Sequence, residues 1–167
     1  MLRSFRLAPM SPLVRALTLL LLALPFAFLV GPLLGRPLFA LPALFLVAIY
    51  AWVWLRFRPR RFVVRRQGLE VIWPLKRRDI PREEISGVRV IDRPALKKEI
   101  GWGMRVGAGG LWGGFGWLWT KRRGIVQMYV SRTDRFVWIE RAGGRPWLIT
   151  PDEPESFVRA LSSEGGA

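Results

Sequence analysis

Residues 16–55 form a stretch of forty residues that carries a single charge, Arg36. Nothing else in the chain restricts its folding as strongly. Arg36 separates a charge-free run of twenty residues (16–35) from one of nineteen (37–55). At about 1.5 Å rise per residue each run reaches roughly 28–30 Å as a helix, which matches the hydrocarbon thickness of a bilayer. The pattern predicts a transmembrane helical hairpin, with helices at about 13–34 and 37–55, preceded by a short basic tail. This unit takes residues 1–57, and residues 58–167 are long enough for one small domain.

A basic tail followed by an apolar run also describes a secretory leader. The run here is longer than the usual 7–15 residues, lacks a small-residue cleavage site after Val30, and is followed by a second apolar run, so an anchor is expected. Pro25, Gly31, Pro32 and Pro42 predict kinks, which neighbouring helices make tolerable in a membrane. Residues 16–35 and 37–55 contain no Asp, Glu, Lys or Arg, so no intramembrane charge marks an ion path or proton relay, and a transporter made from this hairpin is not expected.

Arginine placement predicts orientation. Arg3, Arg6 and Arg15 precede the first span, while Arg56, Arg58, Arg60, Arg61, Arg65 and Arg66 follow the second. The positive-inside rule then puts both termini in the cytoplasm, as a multi-pass protein of the inner membrane. Tyr50, Trp52 and Trp54 fit an aromatic belt at that interface, and Arg56, Arg58, Arg60 and Arg61 extend it with charge. These arginines serve as a topology signal and can also attract anionic lipid.

The domain is basic in its own right. Of the chain's net charge of +15, residues 1–55 supply four arginines and no acid, which leaves +11 for the rest. Such a balance favours anionic partners, lipid head groups or nucleic acid, without choosing between them. There is no cysteine and no histidine, which removes disulfides, thiolate chemistry and the side chain best suited to acid–base work at neutral pH. No catalytic, cofactor-binding or metal-binding residue is predicted. The best acidic constellation, Glu83-Glu84 with Asp79 and Arg82, reads as a solvated turn.

From residue 61 the pattern becomes that of short strands. RFVVRR (61–66), a Gln67-Gly68 turn and LEVIWPL (69–75) predict a β-hairpin, and VRVI (88–91) a further strand. Residues 92–99, with Pro94, are predicted as a loop. Residues 101–120 hold eight glycines and four tryptophans (Trp102, Trp112, Trp117, Trp119) with Phe115. They match no nucleotide-binding loop: Trp112 stands where a dinucleotide fingerprint needs glycine, and no Gly-Lys-Ser/Thr ending follows. The expectation is a glycine–aromatic loop packed over a sheet; the alternatives are a loop dipping into the bilayer interface and a partner surface, with Arg105, Trp112, Phe115 and Trp117 as the candidate lipid or partner contacts. Residues 125–131, 135–140 and 145–150 read as an antiparallel meander. A helix at about 152–163 follows, with Asp152 and Glu155 at capping-box spacing and Phe157, Val158 and Leu161 as its apolar stripe.

Taken together, the hairpin at 61–75, the segment Asp79-Ile80-Pro81-Arg82-Glu83-Glu84-Ile85, Arg105 before a glycine-rich stretch, the meander, and Thr150-Pro151-Asp152-Glu153-Pro154-Glu155-Ser156-Phe157 resemble the bacterial pleckstrin-homology-like (PH-like) domain family. Its members often carry one or two transmembrane helices ahead of the domain. The resemblance covers about residues 60–162 and implies an α+β membrane protein whose antiparallel sandwich or barrel, seven strands in two near-orthogonal sheets, is capped by the C-terminal helix. Phosphoinositide-reading members grip their ligand from a long basic loop in the first hairpin, and here Gln67-Gly68 is a minimal turn. The functional expectation is a non-enzymatic binding or scaffolding module at the cytoplasmic face, with anionic lipid and an unknown protein or a second copy as partners. The alternative is a tethered nucleic-acid-binding domain, and behind it an enzyme or a transporter accessory subunit.

Overall fold

The computed structural model describes residues 2–163, so Met1 and the expected domain end at 164–167 lie outside the described residues. Two long apolar helices come first, α1 (Pro12–Leu33) and, after a 3₁₀ turn at Pro37–Phe39, α2 (Ala40–Arg56). α1 and the helical run Pro37–Arg56 are each long and apolar enough to cross a membrane. Pro12 opens α1, where its missing N–H costs nothing. A Cβ on Gly31 would lie 2.6 Å from the Phe39 Cβ, so glycine permits the tight return. Deeper in the pair, the Tyr50 hydroxyl donates to the Leu21 carbonyl at 2.7 Å.

The segment expected as a basic tail is instead a strand. β1 (Arg3–Arg6) pairs antiparallel with β2 (Arg61–Arg65), Arg3 opposite Val64 and Arg6 opposite Arg61. The period-two pattern is visible afterwards: Phe5 and Leu7 are buried while Arg3, Ser4 and Arg6 are exposed. β3 (Gly68–Ile72) and β4 (Arg77–Pro81) complete a sheet of order β1-β2-β3-β4. The predicted first hairpin is thus present, with its turn at Arg66-Gln67.

The second sheet contains β5 (Ile85–Ile91), β6 (Gly103–Gly109), β7 (Gly114–Thr120), β8 (Gly124–Val130), β9 (Phe136–Arg141) and β10 (Trp147–Ile149), in the order β5-β9-β10-β8-β7-β6. Ten strands lie among the described residues, against the seven that the resemblance implied. Two sheets with accompanying helices fit the expected PH-like α+β class.

Three local expectations change. The last three strands are not a meander: β10 is antiparallel to β9 and parallel to β8, inserted between them. The five-residue connection 131–135 spans the two inter-strand spacings, roughly 10 Å in all, that this insertion needs. Residues 92–99 are not a loop, because α3 (Arg93–Ile100) forms there. The Asp92 side chain caps it by accepting the Ala95 N–H at 2.8 Å, and Pro94 sits in the first turn where proline is tolerated. Residues 101–120 are not a loop either; most of them form the antiparallel β6–β7 hairpin. Its glycines serve close approach: Gly107 faces Gly116, both at positive φ, and a Cβ on Gly107 would lie 2.4 Å from the Phe115 carbonyl oxygen.

The main core lies between the sheets, where Phe62, Val64, Leu69 and Val71 meet Phe115, Tyr129, Val137 and Trp147. The C-terminal helix α4 (Pro154–Ser163) closes it with Phe157 and Leu161, Phe157 standing edge-on to Phe5 and Phe62 with centroids 5.3 and 6.2 Å away. Asp152 does not complete a capping box; its carboxylate accepts from the neighbouring Glu153 N–H at 3.1 Å. A second core lies on the other face of the larger sheet, where Leu96 and Ile100 of α3 cover Leu118, Met128, Phe136 and Leu148.

Because Phe5 fills part of the main core, Phe5→Ala should lower unfolding stability by about 3–5 kcal/mol, as a buried phenylalanine does; denaturant titration in detergent checks this. Burial raises the Tyr129 hydroxyl to about 12, more than Arg78 and its hydrogen bond from Gln127 lower it. The raised value makes Tyr129 a source of stability that is complete below the unfolded pKa near 10 and is lost as pH climbs to about 12. Absorbance of phenolate against pH, in the wild type and in Tyr129→Phe, measures it.

Candidate membrane-facing surface

Strand length decides which turns lie near the helical hairpin. β2 leaves the end of α2, and its five residues carry the chain about 17 Å away, so the Arg65-Arg66-Gln67 turn lies at the far end of the sheet. β3 brings the chain back, and the turn at Pro74-Leu75 returns to the helix end. There the Trp73 indole N–H donates to the Phe57 carbonyl at 3.1 Å, and the Trp73 amide closes the turn onto the Lys76 carbonyl at 2.8 Å.

Cations and rings alternate around this junction. The Arg58 guanidinium stands 4.2 Å from the Trp54 ring centroid, the Lys76 ammonium 4.6 Å from Trp73, and Arg56 6.0 Å from Trp52. Each contact contributes on the order of 0.5–2 kcal/mol, more where water is excluded. Burial lowers the Arg58 pKa, and burial followed by repulsion from Arg56 and Arg78 lowers that of Lys76. Arg60, Arg61, Lys76 and Arg77 surround an open depression beside Leu75, which is exposed.

The β6–β7 hairpin reaches the same region from the other side. Its tip, Gly110-Leu111-Trp112-Gly113, is seated on Thr18, which lies six residues, about 9 Å, into α1. The Thr18 hydroxyl accepts the Trp112 N–H at 2.9 Å, and its own proton is shared between the carbonyls of Val14 at 2.7 Å and Gly110 at 3.1 Å. This partnership explains how a threonine only 2% exposed is satisfied in an apolar helix. The seat holds Trp112 at φ +59°, a conformation that a bulky residue adopts only at a cost of about 1–3 kcal/mol. Trp112 then meets Trp54 edge-on, centroids 4.7 Å apart.

Of the residues singled out in the sequence, Trp52, Trp54, Arg56, Arg58, Arg60 and Arg61 gather at this junction. Tyr50 does not: it is spent on the Leu21 carbonyl inside the helical pair. Trp112 is half-buried, Trp117 and Arg105 are exposed, and Phe115 is 1% exposed and belongs to the core, so it is no contact residue. Strand alternation puts Phe115 and Trp117 on one face of β7 and cannot tell them apart: Phe115, opposite Tyr129, is covered in the main core, while Trp117, opposite Gln127, is left exposed. Trp73, Lys76 and Thr18 were missed. For the first two, counting five residues out and five back would have found them; nothing in the sequence signals Thr18 as a seat.

Of the acidic constellation, Glu84 is drawn away while Asp79 and Glu83 stay together. Glu84 pairs with Arg141 and Glu70 with Arg65, while Asp79 and Glu83 line a cleft at the β3–β4 edge with Glu70. The Arg65 charge is thereby engaged away from the helices.

Replacing Thr18 by valine keeps the shape and removes both tip hydrogen bonds. The Trp112 amide, protected in the wild type, is expected to exchange at least tenfold faster in Thr18→Val, while amides of β9 keep their protection; hydrogen exchange read by mass spectrometry measures both.

No curated protein and no solved structure matches the chain. A family model for the bacterial PH domain matches residues 60–165, from just before β2 through α4. That span contains β2 to β10 and covers more than half of the sequence. The chain belongs to the bacterial PH domain family.

Proposed function

We propose that this protein is a membrane-anchored binding module: α1 and α2 cross the inner membrane as a hairpin, both ends emerge on the cytoplasmic side, and the PH domain is held against anionic head groups while it engages a protein partner. A bacterial PH domain suggests a non-enzymatic binding or scaffolding role. The observation that carries the anchored reading is the pairing of β1 with β2. It requires the two ends of the hairpin to lie on one side of whatever the helices enter. Arginine placement then selects the cytoplasmic side. The cation–ring contacts at Trp52, Trp54 and Trp73 support contact with head groups, because they present charge beside rings suited to the interface.

The chain has no cysteine, so an introduced one is its sole thiol. In intact spheroplasts a membrane-impermeant maleimide is expected to label Arg36→Cys, in the turn between the helices, and to label Lys121→Cys, on the β-domain, only after permeabilisation. Labelling of Lys121→Cys in sealed spheroplasts would overturn the orientation.

A further inference from the structure

Between α1 and α3 a groove of about 450 Å³ runs over the outer face of the larger sheet. Ligand sites run from roughly 300 to 1,000 Å³. One wall is Leu13 and Leu17 of α1, both exposed, and the other is Leu96 and Ile100 of α3; Met128 and Leu148 contribute to the floor. Such a lining takes a hydrocarbon chain.

The polar lining has one sign. Arg93 and Lys97 stand on α3, Arg105 on β6 and Arg132 beyond β8, and no carboxylate is among the lining residues. Among the described residues, ion pairing reaches one of the four: Arg132 lies 3.9 Å from Asp134, too far for a hydrogen bond. The Arg132 side chain is held at its tip by the carbonyls of Arg135 at 3.2 Å and Pro151 at 3.5 Å, and its Nε is buried without an acceptor. A buried donor without a partner costs free energy that an anionic oxygen would return. Burial also lowers the Arg132 pKa, as expected of a cation not fully compensated.

We infer that this groove seats one anionic phospholipid, its acyl chain along the leucine walls and its phosphate against Arg93, Lys97, Arg105 and Arg132. The inference rests on the anchored reading, because the groove is walled by the first turns of α1. Its apolar lining continues along the same face of the helix onto the exposed leucines Leu20 and Leu24. An acyl chain can therefore move between leaflet and groove without crossing water. An acidic peptide would have to bury unpaired backbone groups against the same leucines. The site is separate from the junction around Trp54 and from the first-hairpin turn, and its ligand is a whole lipid with its chain.

The test uses the full chain, purified in mild detergent and mixed with equal amounts of phosphatidylglycerol and phosphatidylcholine of identical acyl chains. Native mass spectrometry is expected to find one phosphatidylglycerol retained per chain, preferred at least tenfold. The double variant Arg93→Glu/Arg105→Glu should bring that preference to parity, while Arg66→Glu/Arg145→Glu, equal in charge and outside the groove, should leave it intact. As a second reading, bimane on Thr133→Cys, in the groove lining, should be quenched by phosphatidylglycerol carrying a nitroxide on its acyl chain. Equal retention of the two lipids, equal loss in both double variants, unquenched bimane, or displacement of the lipid by glycerol 3-phosphate would each overturn the inference. If these fail while Arg36→Cys still labels from outside, the groove reading falls and the anchor stands; if Arg36→Cys does not label, the anchor falls first.

Discussion

The backbone ladder between residues 3–6 and 61–64 is the contact on which the rest depends. It joins strands nearly sixty residues apart and thereby closes the helical pair into a loop whose two ends are fixed side by side. The closure is reinforced downstream. The Ala8 amide donates to the Thr150 carbonyl at 2.8 Å, the Asp152 amide donates to the Arg6 carbonyl at 2.9 Å, and the Ser131 hydroxyl donates to the Ala8 carbonyl at 2.6 Å. The residues before α1 are thus tied to β2, to the end of β8 and to the segment leading into α4. Helices and sheets share one set of constraints, and what happens at the start of α1 is transmitted directly to the edge of the domain.

Part of this arrangement is legible from the chain. Two charge-poor runs, a hairpin of β-branched residues around a turn, and a terminal amphipathic helix are local patterns, and the structure contains each of them. What was not legible depends on non-local partners. Arg3-Ser4-Phe5-Arg6 reads as a tail because two arginines ahead of a membrane-length run have a ready explanation, and four residues cannot show that Phe5 has Phe157 to meet. The segment after Asp92 reads as a loop because Pro94 breaks helices in general, although at a first turn it does not. The glycine-rich segment reads as irregular because glycine weakens strands, and only the pairing of Gly107 with Gly116 turns it into one that needs glycine.

The distribution of charge carries a related lesson. A net +11 on the domain looked like one undivided attraction to anions, but the arginines have different circumstances. Arg65, Arg141 and Arg135 answer Glu70, Glu84 and Glu155; Arg89 and Arg123 share Glu99 and Glu140. Arg56, Arg58 and Lys76 stand against aromatic rings, and Arg78 lies 5.2 Å from the Trp147 centroid. The cations with neither kind of partner, such as Arg93, Lys97 and Arg105 among the described residues, concentrate the remaining field at particular places. Net charge alone would have spread it evenly over the surface.

β6 is an edge strand, paired with β7 alone, and almost every residue in it is exposed, with Met104, Val106, Trp117 and Trp119 offering apolar area on the hairpin. Its outer backbone N–H and C=O groups have no neighbouring strand. A bilayer interior supplies no water to satisfy such groups, so an open strand edge cannot enter hydrocarbon even when its side chains are greasy. Under the anchored reading we propose, the same hairpin is drawn toward an interface by its rings and stopped there by its amides. In that reading the opposition works as a depth gauge, setting how far the PH domain sinks toward the surface that the proposed anchor enters.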